Sequence, residues 1–183
     1  IRHPERRDIV RGQYEGYRSE DGVSPNSDAE TYAALRFEID SWRWADVPFF
    51  IRTGKRMPVT ATEVIATFRR PPQRLFDETL PPRANYLRFR LGPDRIAIAL
   101  GVRTKDAGEA MVGEETELYA CNSRTDEMTP YERLLGDAMR GDATLFARQD
   151  SVEVAWDIVD RLLASGPQAE RYASGSWGPD GAA

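Results

Sequence analysis

The sequence predicts an α+β fold, a large and mostly antiparallel sheet with helices packed on one face, and three observations point there. Apolar and polar residues alternate with period two in several stretches between residues 33 and 102. Turn chemistry joins two of those stretches as a hairpin. Helical periodicity with start and stop signals is confined to residues after 128. Strands in one run with helices following them give segregated layers.

The elements follow in order. Residues Gln13 to Ser27 are rich in Gly, Ser, Asp, Asn and Pro and read as a loop. Ala33, Leu35, Phe37 and Ile39 then share one face while Ala34, Arg36, Glu38 and Asp40 share the other, which is a half-buried strand. Trp42 and Trp44 flank Arg43 at strand spacing, which puts both rings on one face in a packing role. Val47 to Arg52 is a second strand, more apolar and therefore expected in the centre of the sheet. Thr62 to Arg69 is a third, and residues Gly54 to Ala61 form the turn between them. Leu87, Phe89 and Leu91 alternate with charged neighbours, Gly92-Pro93-Asp94-Arg95 supplies a turn, and Ile96, Ile98, Leu100 and Val102 resume the alternation. Glu114 to Ala120 is a candidate further strand.

Thr129-Pro130-Tyr131-Glu132 matches a capping box with proline at the first helical position. Tyr131, Leu134, Leu135, Ala138 and Met139 then recur at helical spacing as far as Gly141. Asp150 to Glu153 resembles a second cap, followed by Ala155, Trp156, Ile158, Val159, Leu162 and Leu163, with a stop before Gly166-Pro167. Both stripes are expected to pack against the sheet.

Composition narrows the function. The 183 residues fit a single domain spanning 1–183, and 40% hydrophobic with 30% charged residues is the balance of a soluble globular protein. A net charge of -5 gives no attraction to nucleic acid or to anionic lipid. Cys121 is alone, so neither an internal disulfide nor a thiolate zinc cluster can form. No stretch approaches about 18 consecutive apolar residues, and the first ten are too charged for a signal peptide, so a cytoplasmic, membrane-free domain is expected. The paired carboxylates Glu114-Glu115 and Asp126-Glu127 have no histidine neighbours and read as solvated faces; no metal site is assigned.

The segment Phe50-Ile51-Arg52-Thr53-Gly54-Lys55-Arg56 carries the most chemistry, because it sets a lysine on a glycine turn directly after an apolar strand. An ammonium so placed can offer up to three charge-assisted hydrogen bonds to an anion. With the preceding Trp42-Arg43-Trp44-Ala45-Asp46-Val47-Pro48-Phe49, this segment resembles the substrate-domain signature of the glucose-6-phosphate dehydrogenase family. Val10-Arg11-Gly12-Gln13-Tyr14, Pro130-Tyr131-Glu132-Arg133-Leu134-Leu135 and Tyr172-Ala173-Ser174-Gly175-Ser176-Trp177-Gly178-Pro179 agree with the same family in the same order.

The resemblance implies the same α+β architecture, with part of the sheet used to form a homodimer or tetramer. It implies an NADP-dependent oxidoreductase of the pentose phosphate pathway, converting D-glucose 6-phosphate to 6-phospho-D-glucono-1,5-lactone. In that family a separate N-terminal domain carries a glycine-rich dinucleotide loop and the catalytic histidine. No Gly-x-Gly-x-x-Gly loop occurs here, and the sole histidine is His3, expected to be solvated at the terminus. The chain, opening on Ile1, is therefore expected to be the C-terminal half, with no catalytic residue of its own, inactive in isolation and partnered by its own N-terminal dinucleotide-binding domain. The alternative is a catalytically silent sugar-phosphate-binding or dimerisation module.

By resemblance Lys55 is the family lysine that reaches the glucose 6-phosphate site. Thr60 stands where the family places a second basic substrate residue, with Arg56 nearby as a substitute charge, and Gly92 stands where a glutamine can touch substrate. Arg52 and Arg90 fall at positions resembling the arginines of a second NADP site in some animal members. Ile98, Leu100 and Tyr119 depart from that site, so a structural NADP is not expected, and read from the residues alone both arginines are polar-face strand positions.

Overall fold

The computed structural model describes residues 1–70, 72–73, 84–93, 95–108, 111–122 and 128–182; Asp94 of the expected turn and the Asp126-Glu127 pair lie outside these. The elements are β1 (Ile9–Tyr14), β2 (Tyr32–Glu38), β3 (Pro48–Gly54), β4 (Thr62–Thr67), β5 (Tyr86–Gly92), β6 (Ile96–Lys105), β7 (Gly113–Asn122), α1 (Pro130–Arg140), α2 (Gln149–Ser165) and β8 (Glu170–Tyr172). The α+β class is as expected. The strands divide between two four-stranded sheets, ordered β3-β2-β1-β8 and β4-β5-β6-β7. The chain forms two compact units, one of residues 1–58 with 130–183 and one of residues 59–129.

In the first unit β2 pairs antiparallel with both β1 and β3, and β8 joins β1 in parallel. The apolar β3 is thus an edge strand and not the central one, and Phe50 and Ile51 on it are exposed. Alternation located β2, whereas β1 and β8 escaped notice: β1 contains Arg11, Gly12 and Gln13, and β8 has three residues. Their pairing buries Tyr14, Tyr32 and Tyr172 as one aromatic cluster, with ring centroids 6.3 Å apart for Tyr14–Tyr172 and 5.5 Å for Tyr32–Tyr172. Edge and tilted contacts of this kind add to the burial of the rings. Trp42–Trp44 is a single turn of 3-10 helix, so the expected strand spacing of the two tryptophans does not apply, and Trp42 is exposed.

Both helices lie where their signals put them. The first ends at Arg140, with Gly141 at a positive φ of 72°, and the second stops at Ser165. The second begins one residue before the expected cap: Arg148 precedes it without a side-chain cap, and Asp150 sits in the first turn, held by Arg148 at 2.8 Å. Among the described residues the apolar stripe of α1 is largely uncovered, with Leu134 half-buried and Tyr131, Leu135 and Met139 exposed, as are Val154 and Trp156 on α2.

The second unit is an antiparallel meander in which register explains burial. On one face Ala97, Ala99 and Gly101 of β6 lie opposite Arg90, Arg88 and Tyr86 of β5. Tyr119 and Glu117 of β7 flank Ala99 and Gly101 from the other side. Long side chains close over short ones, so the two alanines are buried. Glu63 takes Arg90 at 3.0 Å, while Glu117 takes Arg88 and the Tyr86 hydroxyl. The opposite face carries Val64, Ile98 and Leu118, all exposed. No described helix is long and apolar enough to cross a membrane.

Candidate functional site

Lys55 stands at the end of β3, on a peptide held from both sides. Its N–H donates to the Thr31 carbonyl at 2.8 Å, and its own carbonyl accepts the Tyr172 hydroxyl at 2.8 Å. Gly54, just before it, passes so close to the core that a Cβ there would lie 2.6 Å from Tyr32, which is why a side chain is excluded at that step. Arg56, just after it, takes the left-handed φ of 54° that turns the chain, and its carbonyl accepts the Gly175 N–H at 2.7 Å. The C-terminal segment thus fixes the turn through Tyr172 and Gly175, more than a hundred residues away in sequence.

The side chains divide in their commitments. Arg56 turns to Glu20 at 2.9 Å, with its guanidinium 5.8 Å from the Tyr14 ring centroid. Hydrogen bonds from Tyr14 and then Arg56 hold the Glu20 carboxyl below its ordinary value, and Glu20 in turn raises the Tyr14 phenol. Arg56 is thereby engaged in an exposed ion pair with Glu20. Lys55 is exposed, and among the described residues its ammonium makes no hydrogen bond or ion pair.

The other expected residues fall as follows. Arg52, on the same strand as Lys55, lies 4.8 Å from the centroid of the Trp177 ring. Thr60 is exposed and belongs to the second unit, as does Arg90, which is paired with Glu63. Arg52 therefore has a ring beside its guanidinium and Arg90 a carboxylate, each within its own unit. Gly92 ends β5 with a φ of 145°, opposite an irregularity between Thr62 and Glu63. His3 has its Nε2 3.9 Å from Asp157. Sequence reasoning assigned no role to Thr31, Tyr172 or Trp177; the Tyr172–Pro179 block was visible, but only the fold shows that it closes on Lys55.

Lys55 is thus an exposed ammonium on a turn of the α+β scaffold that is clamped through its backbone, and an ammonium so placed can offer charge-assisted hydrogen bonds to an anion. The profile of the family described as glucose-6-phosphate dehydrogenase, C-terminal domain, matches residues 1–183, and the chain belongs to that family. It is 44% identical to a glucose-6-phosphate 1-dehydrogenase of Aggregatibacter actinomycetemcomitans, over 95% of this chain and 38% of the relative. It is 42% identical to glucose-6-phosphate 1-dehydrogenase 1 of Mycobacterium tuberculosis, over 94% of this chain and 37% of the relative. The crystal structure of glucose-6-phosphate 1-dehydrogenase from Mycobacterium avium superposes with a TM-score of 0.85 at 38% identity, covering 98% of this chain and 38% of the other. A structure of a glucose-6-phosphate dehydrogenase in complex with its substrate glucose-6-phosphate superposes with a TM-score of 0.80 at 31% identity, covering 97% of this chain and 40% of the other. The chain therefore spans about two fifths of the length of these relatives.

Proposed function

We propose that this chain is the substrate-side domain of an NADP-dependent glucose-6-phosphate dehydrogenase, in which Lys55 binds D-glucose 6-phosphate during oxidation to 6-phospho-D-glucono-1,5-lactone. The observation that carries this reading is the state of Lys55, a clamped peptide bearing an ammonium with no internal partner among the described residues. Family membership supports the reaction class, and the substrate complex of a relative supports the ligand. When bound, NADP accepts the hydride. The base and the dinucleotide loop belong to an N-terminal domain of the same enzyme, and this chain supplies charge and position. Thr60 adds no charge to the site. The exposed stripe of α1 and the exposed apolar face of the β4–β7 sheet support docking against that N-terminal domain and against a second copy, in a homodimer or tetramer of the cytoplasm.

The test is Lys55→Ala in the complete enzyme. Losing a charge-assisted contact of about 1.5–3 kcal/mol lowers kcat/KM for glucose 6-phosphate by roughly one to two decades, with NADP binding unchanged. Thr60→Arg tightens the sugar phosphate. An unaltered kcat/KM in Lys55→Ala makes this lysine an ordinary solvated turn residue and overturns the assignment. The chain by itself reduces no NADP above a blank.

A further inference from the structure

We propose that Tyr172 and Thr31 are positioning residues for Lys55, a pair of hydroxyls whose bonding fixes the direction in which its ammonium is presented. The inference rests on the reading of Lys55 as the substrate cation. It starts from proton accounting. Tyr172 has a single O–H, and its shortest acceptor is the Lys55 carbonyl at 2.8 Å. The contact of 3.1 Å between the two hydroxyls is then donated by Thr31 Oγ1 to the tyrosine oxygen. Thr31 Oγ1 in turn accepts the Tyr14 N–H at 3.0 Å. Each proton in the sequence Tyr14 N–H, Thr31 O–H, Tyr172 O–H thus has an acceptor, the tyrosine having a second and longer one in the Thr31 carbonyl at 3.3 Å, and the relay ends on the peptide of Lys55. The Thr31 carbonyl takes the N–H of the same residue, so Lys55 is gripped at both of its backbone polar groups.

Burial makes the relay hard to replace. Tyr172 is 3% exposed, and its ring is wedged among Tyr14 and Tyr32, so loss of the hydroxyl leaves the Lys55 carbonyl and the Thr31 hydroxyl short of a partner with little room for water. The parallel register of β8 on β1 pairs Tyr14 with Tyr172 and sets the hydroxyl in place. A long side chain magnifies any error at its root. A tilt of roughly 10° in the peptide moves an ammonium about 6 Å away by about 1 Å, beyond the tolerance of a binding group.

The experiment is Tyr172→Phe in the complete dehydrogenase, alone and combined with Lys55→Ala. Removing one hydroxyl while keeping the ring raises the KM for glucose 6-phosphate by about three- to tenfold and leaves the KM for NADP and the kcat within about twofold. In the Lys55→Ala background the same change adds nothing to the sugar-phosphate KM, because the group being positioned is gone. A purely structural hydroxyl gives a different result: lower thermal stability with an unchanged KM, or equal losses in both backgrounds, and either outcome overturns the proposal. If Tyr172→Phe does not fold, Thr31→Val must raise the same KM and Thr31→Ser must restore it; a wild-type KM in Thr31→Val is equally fatal. Failure of the Lys55 reading shows separately, as a Lys55→Ala enzyme that is itself unimpaired.

Discussion

The two units are built on opposite plans. The unit of residues 59–129 is a meander of consecutive strands, each paired with its neighbour in sequence. The unit that holds Lys55 is assembled from distant pieces, with β8 pairing in parallel with a strand near the N-terminus and its buried core made of three tyrosines from three separate segments. In the meander, short residues are buried under long charged ones, and the polar groups meet each other near the surface. In the other unit the Tyr172 hydroxyl joins the Thr31 hydroxyl and the Lys55 carbonyl in one part-buried network. Groups that need exact placement sit in the unit whose contacts are non-local, where each partner is fixed by a different stretch of chain.

The largest effect is expected from Gly178→Ala. Gly178 has a φ of 112°, and a Cβ there would collide with the Tyr32 ring, which is itself fully enclosed. Left-handed strain and overpacking together cost about 2–4 kcal/mol. All four tryptophans lie in the first unit and Cys121 lies in the second, so tryptophan fluorescence and a thiol-coupled dye report the two units separately in one urea titration. The tryptophan midpoint falls while the dye midpoint holds. Should both midpoints fall together, the units unfold as one and the contrast between them dissolves.

Gly101→Ala is the counterpart in the meander. A Cβ at Gly101 would strike the Tyr86 ring, but that ring is only partly covered and can swing outward at the loss of its bond to Glu117. About 1 kcal/mol is expected, seen by the dye on Cys121 and not by the tryptophans. A cost equal to that of Gly178→Ala would show that the meander is as tightly packed as the tyrosine core. Smaller again is Trp177→Leu, which removes the ring over Arg52 at a half-exposed site and costs about 0.5–1 kcal/mol by urea titration. No change at all would mean that the stacked pair is incidental to the strand it covers.

Legibility in the sequence followed the same division. The meander was readable because alternation and turn residues are local signals, and β5, β6 and β7 lie within three residues of the expected spans. Lys55 was readable because glycine and lysine after an apolar run are adjacent. Its support was not, since nothing in Tyr172 or Thr31 taken alone announces a partner elsewhere in the chain. The central placement expected for β3 failed for a related reason: apolar character signals burial, and Phe50 and Ile51 are apolar yet exposed within this chain. The stripe on α1 misled in the same way. Periodicity identified its apolar residues and could not say that Tyr131, Leu135 and Met139 would be exposed.

The smallest effect concerns pH and tests whether the network around Lys55 is electrostatically tuned. Glu20 titrates below its ordinary value because Tyr14 and then Arg56 hydrogen-bond to its charged form. A carboxyl lowered in the folded state binds fewer protons there than in the unfolded chain, so its contribution is complete above the ordinary glutamate value and is lost as pH falls through the lowered one. Tyr14, raised by Glu20, works at the other end: its contribution is present at neutral pH and disappears as alkali removes the proton. Glu20→Gln keeps an acceptor for Arg56 but removes the charge. The tryptophan-reported midpoint of the variant therefore declines less steeply on the acid side than that of the parent, while the Cys121 dye shows the same acid limb in both. The pair is exposed, so solvent screens it and the change in slope is modest. Identical acid limbs from the tryptophans would mean that Glu20 titrates as an ordinary surface carboxylate, and that the turn carrying Lys55 is held by its hydrogen bonds to Thr31, Tyr172 and Gly175 without help from that pair.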